Sequence, residues 1–396
     1  MAIIPKLALI PSGYKAGKLY SVLPTDGAGD FTTTRASVAT RVNSNGLIEE
    51  VAANVPRLDY SDGGCPSLLL EPTTLNLVPD SENFSNSSWV GGGNITVESG
   101  YLAPDGSNNA CKVSGSGGAL NTSIGLLQST TRSIYARTVS GVGKISLLSY
   151  FGNSNNLFDI TEEWQRFEVS TSISTGVNSF YAVDFRSLSA TLSEVIIWGA
   201  NATNDQSYAT SYIKNEGTSA GITRSADTAN GAGNSTVINS TEGVLYFEGI
   251  ATNPDVSANS QISISSATNS GDNRVMIAPS SDTQLILRFN AGGTQLVTQA
   301  VTVSSLSVNS KIAVRWGNGN YSLYQNGSEV YTQAIASTPT GLAKLNFSSV
   351  TETNNFNGKV KDVRVYTTAL SNIEIEKLTS WTSFTAMANG QSYTII

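Results

Sequence analysis

Side chains that move protons or bind metals tightly are scarce along these 396 residues, and histidine is absent altogether. Histidine is the usual general base near neutral pH and the commonest ligand of catalytic zinc. Serine–histidine triads and histidine-bound zinc sites are therefore excluded. Cleaving a glycosidic bond with two carboxylates requires them to sit about 5–10 Å apart, one of them raised in pKa. Glu162 and Glu163 are adjacent and would face opposite sides of a strand, while Glu374 and Glu376 would lie about 200° apart on a helix. Neither pair can converge on one bond, and the chain reads as a non-enzyme. Cys65 and Cys111 are too few for a disulfide-stapled scaffold and read as two buried free thiols. The glycine clusters at 91–93 and 115–118 lack the Lys-Ser/Thr of a phosphate loop and read as turns.

Holding a sugar needs less machinery: an aromatic face for stacking and a few amides or carboxylates to fix hydroxyls. The aromatic residues that could serve are Trp89, Tyr150, Phe151, Trp164, Trp198, Trp316, Tyr321 and Tyr324. Trp198 adjoins Ile196 and Ile197, and Trp316 shares a strand face with Ile312 and Val314, so both are expected in a core. Tyr324, beside an Asn-Gly turn and opposite in phase to Leu323, is the ring expected to be exposed. Tyr324, Trp164 and Tyr150 are the candidate glycan-binding residues.

Such residues must be positioned by strands. In Lys311 to Trp316, Ile312, Val314 and Trp316 share one face and Lys311, Ala313 and Arg315 the other, a period of two. Gly317-Asn-Gly-Asn320 then turns the chain into Tyr321 to Gln325, and Asn326-Gly327 supplies the positive φ values of a tight hairpin. Val363 and Val365 alternate with Asp362 and Arg364 in another strand. Ser371 with Glu374 three residues later forms a capping-box pattern that predicts one short C-terminal helix starting near Asn372. No longer helical periodicity occurs, and β-branched and aromatic residues dominate the apolar runs. The fold class is all-β.

Length at roughly 150 residues per domain gives two or three units. Seven of the eleven prolines fall in the first 79 residues, which predicts an extended N-terminal arm over 1–79. Short strands follow over 80–230 and again over 231–396. The stretch Ser225 to Ser235, with no large apolar side chain, reads as a linker between two tandem antiparallel sandwiches. Charged residues make up 13% of the chain, with 23 basic and 30 acidic side chains giving a net charge of −7. A chain so mildly acidic cannot release phosphate counterions as nucleic-acid binders do, so no nucleic-acid partner is expected. No apolar run approaches the 18 or so residues of a membrane span, and residues 2–10 are too interrupted for a signal-peptide core. Membrane insertion is not expected.

The run Phe31-Thr-Thr-Thr-Arg-Ala-Ser-Val-Ala-Thr-Arg-Val-Asn43, with Gly46-Leu-Ile-Glu49, Pro56-Arg-Leu-Asp-Tyr60 and Ser67-Leu-Leu-Leu-Glu71, resembles the N-terminal part of bacteriophage virion fibre, tail and head-decoration proteins. The middle unit is similar to the carbohydrate-binding-module-like jelly roll of such proteins through Trp89, Ala103-Pro-Asp-Gly106, Trp164-Gln-Arg-Phe167, Trp198-Gly-Ala200, Ala209-Thr-Ser-Tyr-Ile213 and Thr223-Arg-Ser-Ala-Asp227. The C-terminal unit is similar to concanavalin A-like, laminin-G-like sandwiches through Tyr321 to Gly327, Phe356-Asn-Gly358, Asp362-Val-Arg-Val-Tyr366 and Ala369-Leu-Ser371. The resemblance implies a structural virion protein, assembled in a host cytoplasm, that adheres to host surface glycans. Residues 1–79 would dock to other virion proteins and to sister subunits, most simply in a trimer. A receptor-binding lectin with one defined glycan is the alternative, and a polysaccharide depolymerase a third reading. Proteins of this class often carry acidic calcium ligands in the C-terminal sandwich, but Asp255, Asp272 and Asp282 are scattered without tight ligand spacing. No cofactor is therefore expected.

Overall fold

Short runs in which every second residue is apolar can satisfy both their backbone and their side chains only in sheets with one face against a core, and almost all regular structure here is strand. The structure, a computed structural model, describes residues 4–149, 156–204, 207–252, 260–268 and 270–391. The chain divides into two units, each interrupted in sequence. The first comprises Met1–Ala36, Val51–Pro72 and Ala226–Ile396, and the second Ser37–Glu50 and Thr73–Ser225.

In the first unit an eight-stranded antiparallel sheet runs in the order Ser328–Ala334, Asn320–Gln325, Ser310–Gly317, Gly243–Ala251, Gly358–Tyr366, Ser67–Leu70, Leu58–Asp59, with Leu7–Leu9 also paired to Gly358–Tyr366. A five-stranded sheet, in the order Thr294–Thr302, Gln284–Ala291, Arg274–Ser281, Ile262–Ser266, Leu342–Asn346, supplies the other apolar layer. Ile312, Val314, Trp316, Val363 and Val365 of the larger sheet bury against Ile264, Ile277, Leu287 and Phe289 of the smaller one, as the alternation predicts. Both expected hairpins form: Asn318-Gly319 and Asn326-Gly327 all have positive φ, the geometry whose twist matches paired strands.

Helix α1, Asn372–Thr379, starts where the capping pattern places it, with the Glu374 carboxylate accepting from the Ser371 N–H at 2.7 Å. It lays Ile375 on the outer face of the larger sheet, over Val244, Tyr246, Ala313 and Tyr324. A second short helix, α2, covers Phe384–Gly390, and Ser383 caps it by accepting from the Ala386 N–H at 3.0 Å.

The first 79 residues are extended, but they do not form a separate arm. All seven prolines lie outside the strands, and the short strands around them are built into larger sheets. Leu7–Leu9 and Ser67–Leu70 both pair along one edge of Gly358–Tyr366, and Phe31–Thr34 pairs with Thr228–Asn230. Leu7, Leu9, Leu19, Phe31, Leu58, Leu68 and Leu70 are buried in the core of the first unit. Each such side chain contributes roughly 1.5–3 kcal/mol on leaving water, which is what draws the segment in. Residues 37–50 and 73–79 belong to the second unit. The linker expected over Ser225 to Ser235 is likewise built in: it contains the strand Thr228–Asn230, and Ala229 and Ala232 are fully buried. Ala232 exchanges backbone hydrogen bonds with Leu345. Its side chains are small because its backbone packs closely against neighbouring strands. The domain boundaries expected at 79 and 230 give way accordingly.

A buried ion cluster ties these segments together. Arg57, wholly buried, donates to Glu71 at 2.7 Å and to Asp227. Arg35 donates to Asp227 at 3.0 Å and to the carbonyls of Val51, Ala52 and Val55. Burial works against the charge on Arg57, but Asp227 and Glu71 outweigh it and hold its pKa above the usual arginine value.

In the second unit an eight-stranded antiparallel sheet runs Thr96–Tyr101, Ala110–Ser114, Glu194–Asn204, Ala119–Arg137, Gln165–Asp184, Gly143–Leu147, Leu157–Ile160, with Trp89–Gly92 on Ala119–Arg137. The two longest strands, of 19 and 20 residues, pair with register shifts, which bend a strand. Phe84, Trp89, Ile134, Phe180, Val195 and Ile197 fill the core. Asn76 clasps three segments: its Nδ2 donates to the carbonyls of Ala200 and Ile213, and its Oδ1 accepts from the N–H groups of Val78 and Ala202.

Candidate functional site

Immediately after the Asn76 clasp, residues 80–83 run beside the segment 212–216 and the start of the strand Ala110–Ser114. These three pieces bring together one half-buried carboxylate and the groups that hold it. Glu82 Oε1 accepts from the Tyr212 hydroxyl at 2.9 Å, and Oε2 accepts from Asn109 Nδ2 at 2.7 Å. Lys214 Nζ stands 3.5 Å from Oε2 and 2.7 Å from Glu216. Behind these groups, the Trp198 indole donates to Asn109 Oδ1 at 2.8 Å, and the Ser81 and Tyr212 hydroxyls share a hydrogen bond of 2.6 Å. The rings of Trp198 and Tyr212 pack 4.6 Å apart. Burial pushes the Glu82 pKa above the usual carboxylate range, with Lys214 and the Tyr212 hydroxyl opposing it. Burial beside Glu82 also pushes the Tyr212 phenol well above its usual value.

Two clefts open on this group. One, of about 490 Å³, is lined by Glu82, Asn83, Ser99, Asn109, Cys111 and Lys214, among others. The other, of about 310 Å³, is lined by Thr40, Glu49, Glu82, Asp105, Trp198 and Tyr212, among others. Both volumes suit a small ligand, for which clefts of about 300–1,000 Å³ are usual. The walls carry amides, hydroxyls and carboxylates beside aromatic rings, an inventory that can hydrogen-bond a polyhydroxylated ligand from several sides.

The residues singled out in the sequence fall elsewhere. Tyr324 is not exposed: its ring is fully buried beneath α1. The Asn-Gly turn next to it turns under a helix rather than into solvent, with the Gly327 N–H donating to Thr379 Oγ1 at 3.1 Å. Burial pushes the Tyr324 phenol up to about 12. A ring with no free face has nothing to stack on a sugar. Trp164 is half-buried, packed on the cluster that contains Trp198 and Tyr212, with the Arg137 guanidinium 5.4 Å from its ring centre. Tyr150 and Phe151 lie outside the described residues. Trp89, Trp198, Trp316 and Tyr321 are buried.

Glu82, Asn109 and Lys214 were not singled out from sequence, and Tyr212 appeared there only within a family motif. Asp255 lies outside the described residues. Asp282 Oδ1 accepts from Ser305 Oγ and from the N–H groups of Leu306 and Ser307, so it caps a loop. Among the described residues, no group of three or more acids or cysteines could hold a metal ion. Cys111 is buried as expected, whereas Cys65 is exposed, and both are free thiols. No helix among the described residues is long and apolar enough to cross a membrane.

The sandwich of the first unit has known counterparts. Residues 252–376 match the concanavalin A-like lectin/glucanases superfamily. The sandwich that holds this matched stretch extends in the structure to strands from before residue 72. No curated protein matches the chain. Similar solved structures include the CBM40 carbohydrate-binding module of the Ruminococcus gnavus IT-sialidase bound to α2,3 sialyllactose, at 17% identity and a TM-score of 0.31, covering 38% of this chain and 94% of that one. Domain 4 of an extracellular arabinanase from Geobacillus stearothermophilus, in complex with arabinotriose, is similar at 12% identity and a TM-score of 0.32, covering 39% and 73%. The leech intramolecular trans-sialidase is similar at 20% identity and a TM-score of 0.31, covering 39% and 27%.

Proposed function

We propose that the protein is a non-enzymatic, glycan-binding adhesion protein, and that the cleft around Glu82 is a sugar site. The observation that carries this reading is the set of hydrogen bonds on Glu82. Both carboxylate oxygens are committed to Tyr212, Asn109 and Lys214, so the group is a fixed acceptor rather than a free proton carrier. Fixed polar groups beside aromatic rings give orientation without turnover. The lectin-like domain supports a surface-recognition role for the chain as a whole.

The setting proposed is the surface of a virion, in a homo-oligomer, most simply a trimer; the N-terminal motifs that resemble phage fibre and decoration proteins support it. The leucines of that segment are used inside its own unit. Contact with other virion proteins is accordingly assigned to its exposed apolar side chains Ile4, Ile10, Tyr20 and Val22.

The test is binding of the full chain to a glycan array, repeated with Glu82→Gln and Asn109→Ala. Binding to a defined sugar that both variants weaken, with no release of reducing ends, is the expected result. Unchanged binding in both variants would remove the site, and sugar release abolished by Glu82→Gln would make the protein a hydrolase. Electron microscopy of particles that carry no copy of the chain would end the virion setting.

A further inference from the structure

In the five-stranded sheet of the lectin-like unit, alternation sends Val275, Ile277, Leu285, Leu287 and Phe289 into the core. Arg274, Met276, Arg288 and Asn290 are left on the opposite face. Cross-strand pairing sets Arg274 opposite Asn290 and Met276 opposite Arg288. The two arginines are therefore diagonal neighbours, a separation that long side chains bridge. On the other flank, Ser265 is opposite Arg274, and Lys344 is opposite Ser265.

Three cations thus share one face, and they are not equivalent. Lys344 is paired with Glu352 at 2.5 Å. Arg274 and Arg288 are both half-buried, and among the described residues neither makes a hydrogen bond or ion pair; the Nε of each is buried without a partner. Burial and the neighbouring Arg288 press the Arg274 pKa down. An arginine cannot escape by losing its proton in a protein, and partly desolvating two like charges without a counter-ion is unfavourable. Elsewhere the buried arginines Arg35 and Arg57 are paired with carboxylates, and Arg132 and Arg224 donate to carbonyl or hydroxyl oxygens. Two that stand side by side without such a partner lack an anion.

We infer that Arg274 and Arg288 form a binding site for the carboxylate of an acidic sugar, a hexuronate unit of a polysaccharide, on the outer face of the five-stranded sheet, which is covered at Ser265, Met276 and Asn290 and exposed towards the strand Thr294–Thr302. The planar fork of a guanidinium matches a carboxylate in two-bond geometry. Beside the pair, the register positions on the exposed edge carry the neutral polar residues Gln295 and Thr298. Neutral hydrogen-bonding neighbours suit ring hydroxyls next to a single negative charge, whereas a densely sulfated or phosphorylated chain would call for more cations. This site belongs to a different unit from the Glu82 cleft and does not depend on it.

The experiment measures binding of the full chain to polygalacturonate, with dextran and dextran sulfate as comparisons. Polygalacturonate is expected to bind and dextran not to bind. Arg274→Gln and Arg288→Gln are each expected to weaken polygalacturonate binding about tenfold or more, as for loss of a charge-assisted hydrogen bond. Each arginine variant removes one of two repelling charges, so its melting temperature is expected to hold or rise. Absent polygalacturonate binding, unchanged binding in the double variant, or dextran sulfate bound as tightly as polygalacturonate would overturn the proposal. A melting temperature lowered by several degrees in both single variants would also overturn it, because the arginines would then be supporting the sheet.

Discussion

Asp227→Asn separates a woven N-terminal segment from a detachable one. The Asp227 carboxylate accepts from Arg35 at 3.0 Å, from two nitrogens of Arg57, and from the Glu71 N–H at 3.1 Å. It is joined to both arginines. The substitution keeps the shape and removes the charge, leaving two buried guanidinium groups to share Glu71. Breaking a buried pair by neutralising one partner costs about 3–5 kcal/mol, because the other charge stays in the interior. At about 2–4 °C per kcal/mol for a unit of this size, the melting temperature should fall by about 6–20 °C. Thermal unfolding followed by circular dichroism reads this directly. A double-mutant cycle adds the mechanism: Arg57→Met should be markedly less harmful in the Asp227→Asn background than alone, since the two residues share one network. A fall below about 2 °C, or full additivity in the cycle, would refute the reasoning.

Tyr324→Ala should destabilise the protein by about 3–5 kcal/mol, as for truncating a buried aromatic side chain, and should leave the affinity of the folded protein for any bound glycan unchanged; chemical denaturation and a binding isotherm separate the two effects. Asn76→Ala strips hydrogen bonds from four buried backbone groups at once, so a loss of about 3 kcal/mol or more is expected in urea unfolding. The raised pKa of Glu82 means that the folded chain binds this proton more tightly than the unfolded chain does. Its contribution to stability is therefore greatest below the ordinary carboxylate value near 4.5 and is lost as pH rises through the folded pKa. Glu82→Gln should remove that decline, so the stability of the variant relative to the parent should increase as pH is raised from about 4.5 towards neutrality. A difference that is flat with pH would show that Glu82 ionises in the fold as freely as it does unfolded.

The elements legible in the sequence were those specified locally. The strand at Lys311 to Trp316, both Asn-Gly turns and the start of α1 each depend on a few adjacent residues, and each forms where it is expected. What could not be read is which strands become neighbours. The prolines predicted an extended course for the first 79 residues, yet nothing local says that Leu7–Leu9 pairs with a strand more than 350 residues later. The same blindness misplaced Tyr324. Its phase relative to Leu323 did put the two on opposite faces, but α1, a distant segment in sequence, covers the face that was expected to be wet.

The family motifs and the Glu82 cleft show two kinds of non-local information. Arg35, Arg57, Glu71 and Asp227 all lie in the runs that carry the resemblance to virion proteins, and they meet in one buried ion cluster. Those positions hold this fold together, so the runs they lie in speak for architecture rather than for a ligand. Glu82, Asn109 and Lys214 lie outside those runs and are joined only when residues 76–83, the strand at Ala110 and the 212–216 segment come together. Ligand preference therefore has to be sought at positions the motifs leave free, where side chains can change without loosening the scaffold. Substitutions in the ion cluster should lower stability and, in whatever fraction remains folded, leave the affinity of the cleft intact. Substitutions at Asn109 or Lys214 should do the reverse.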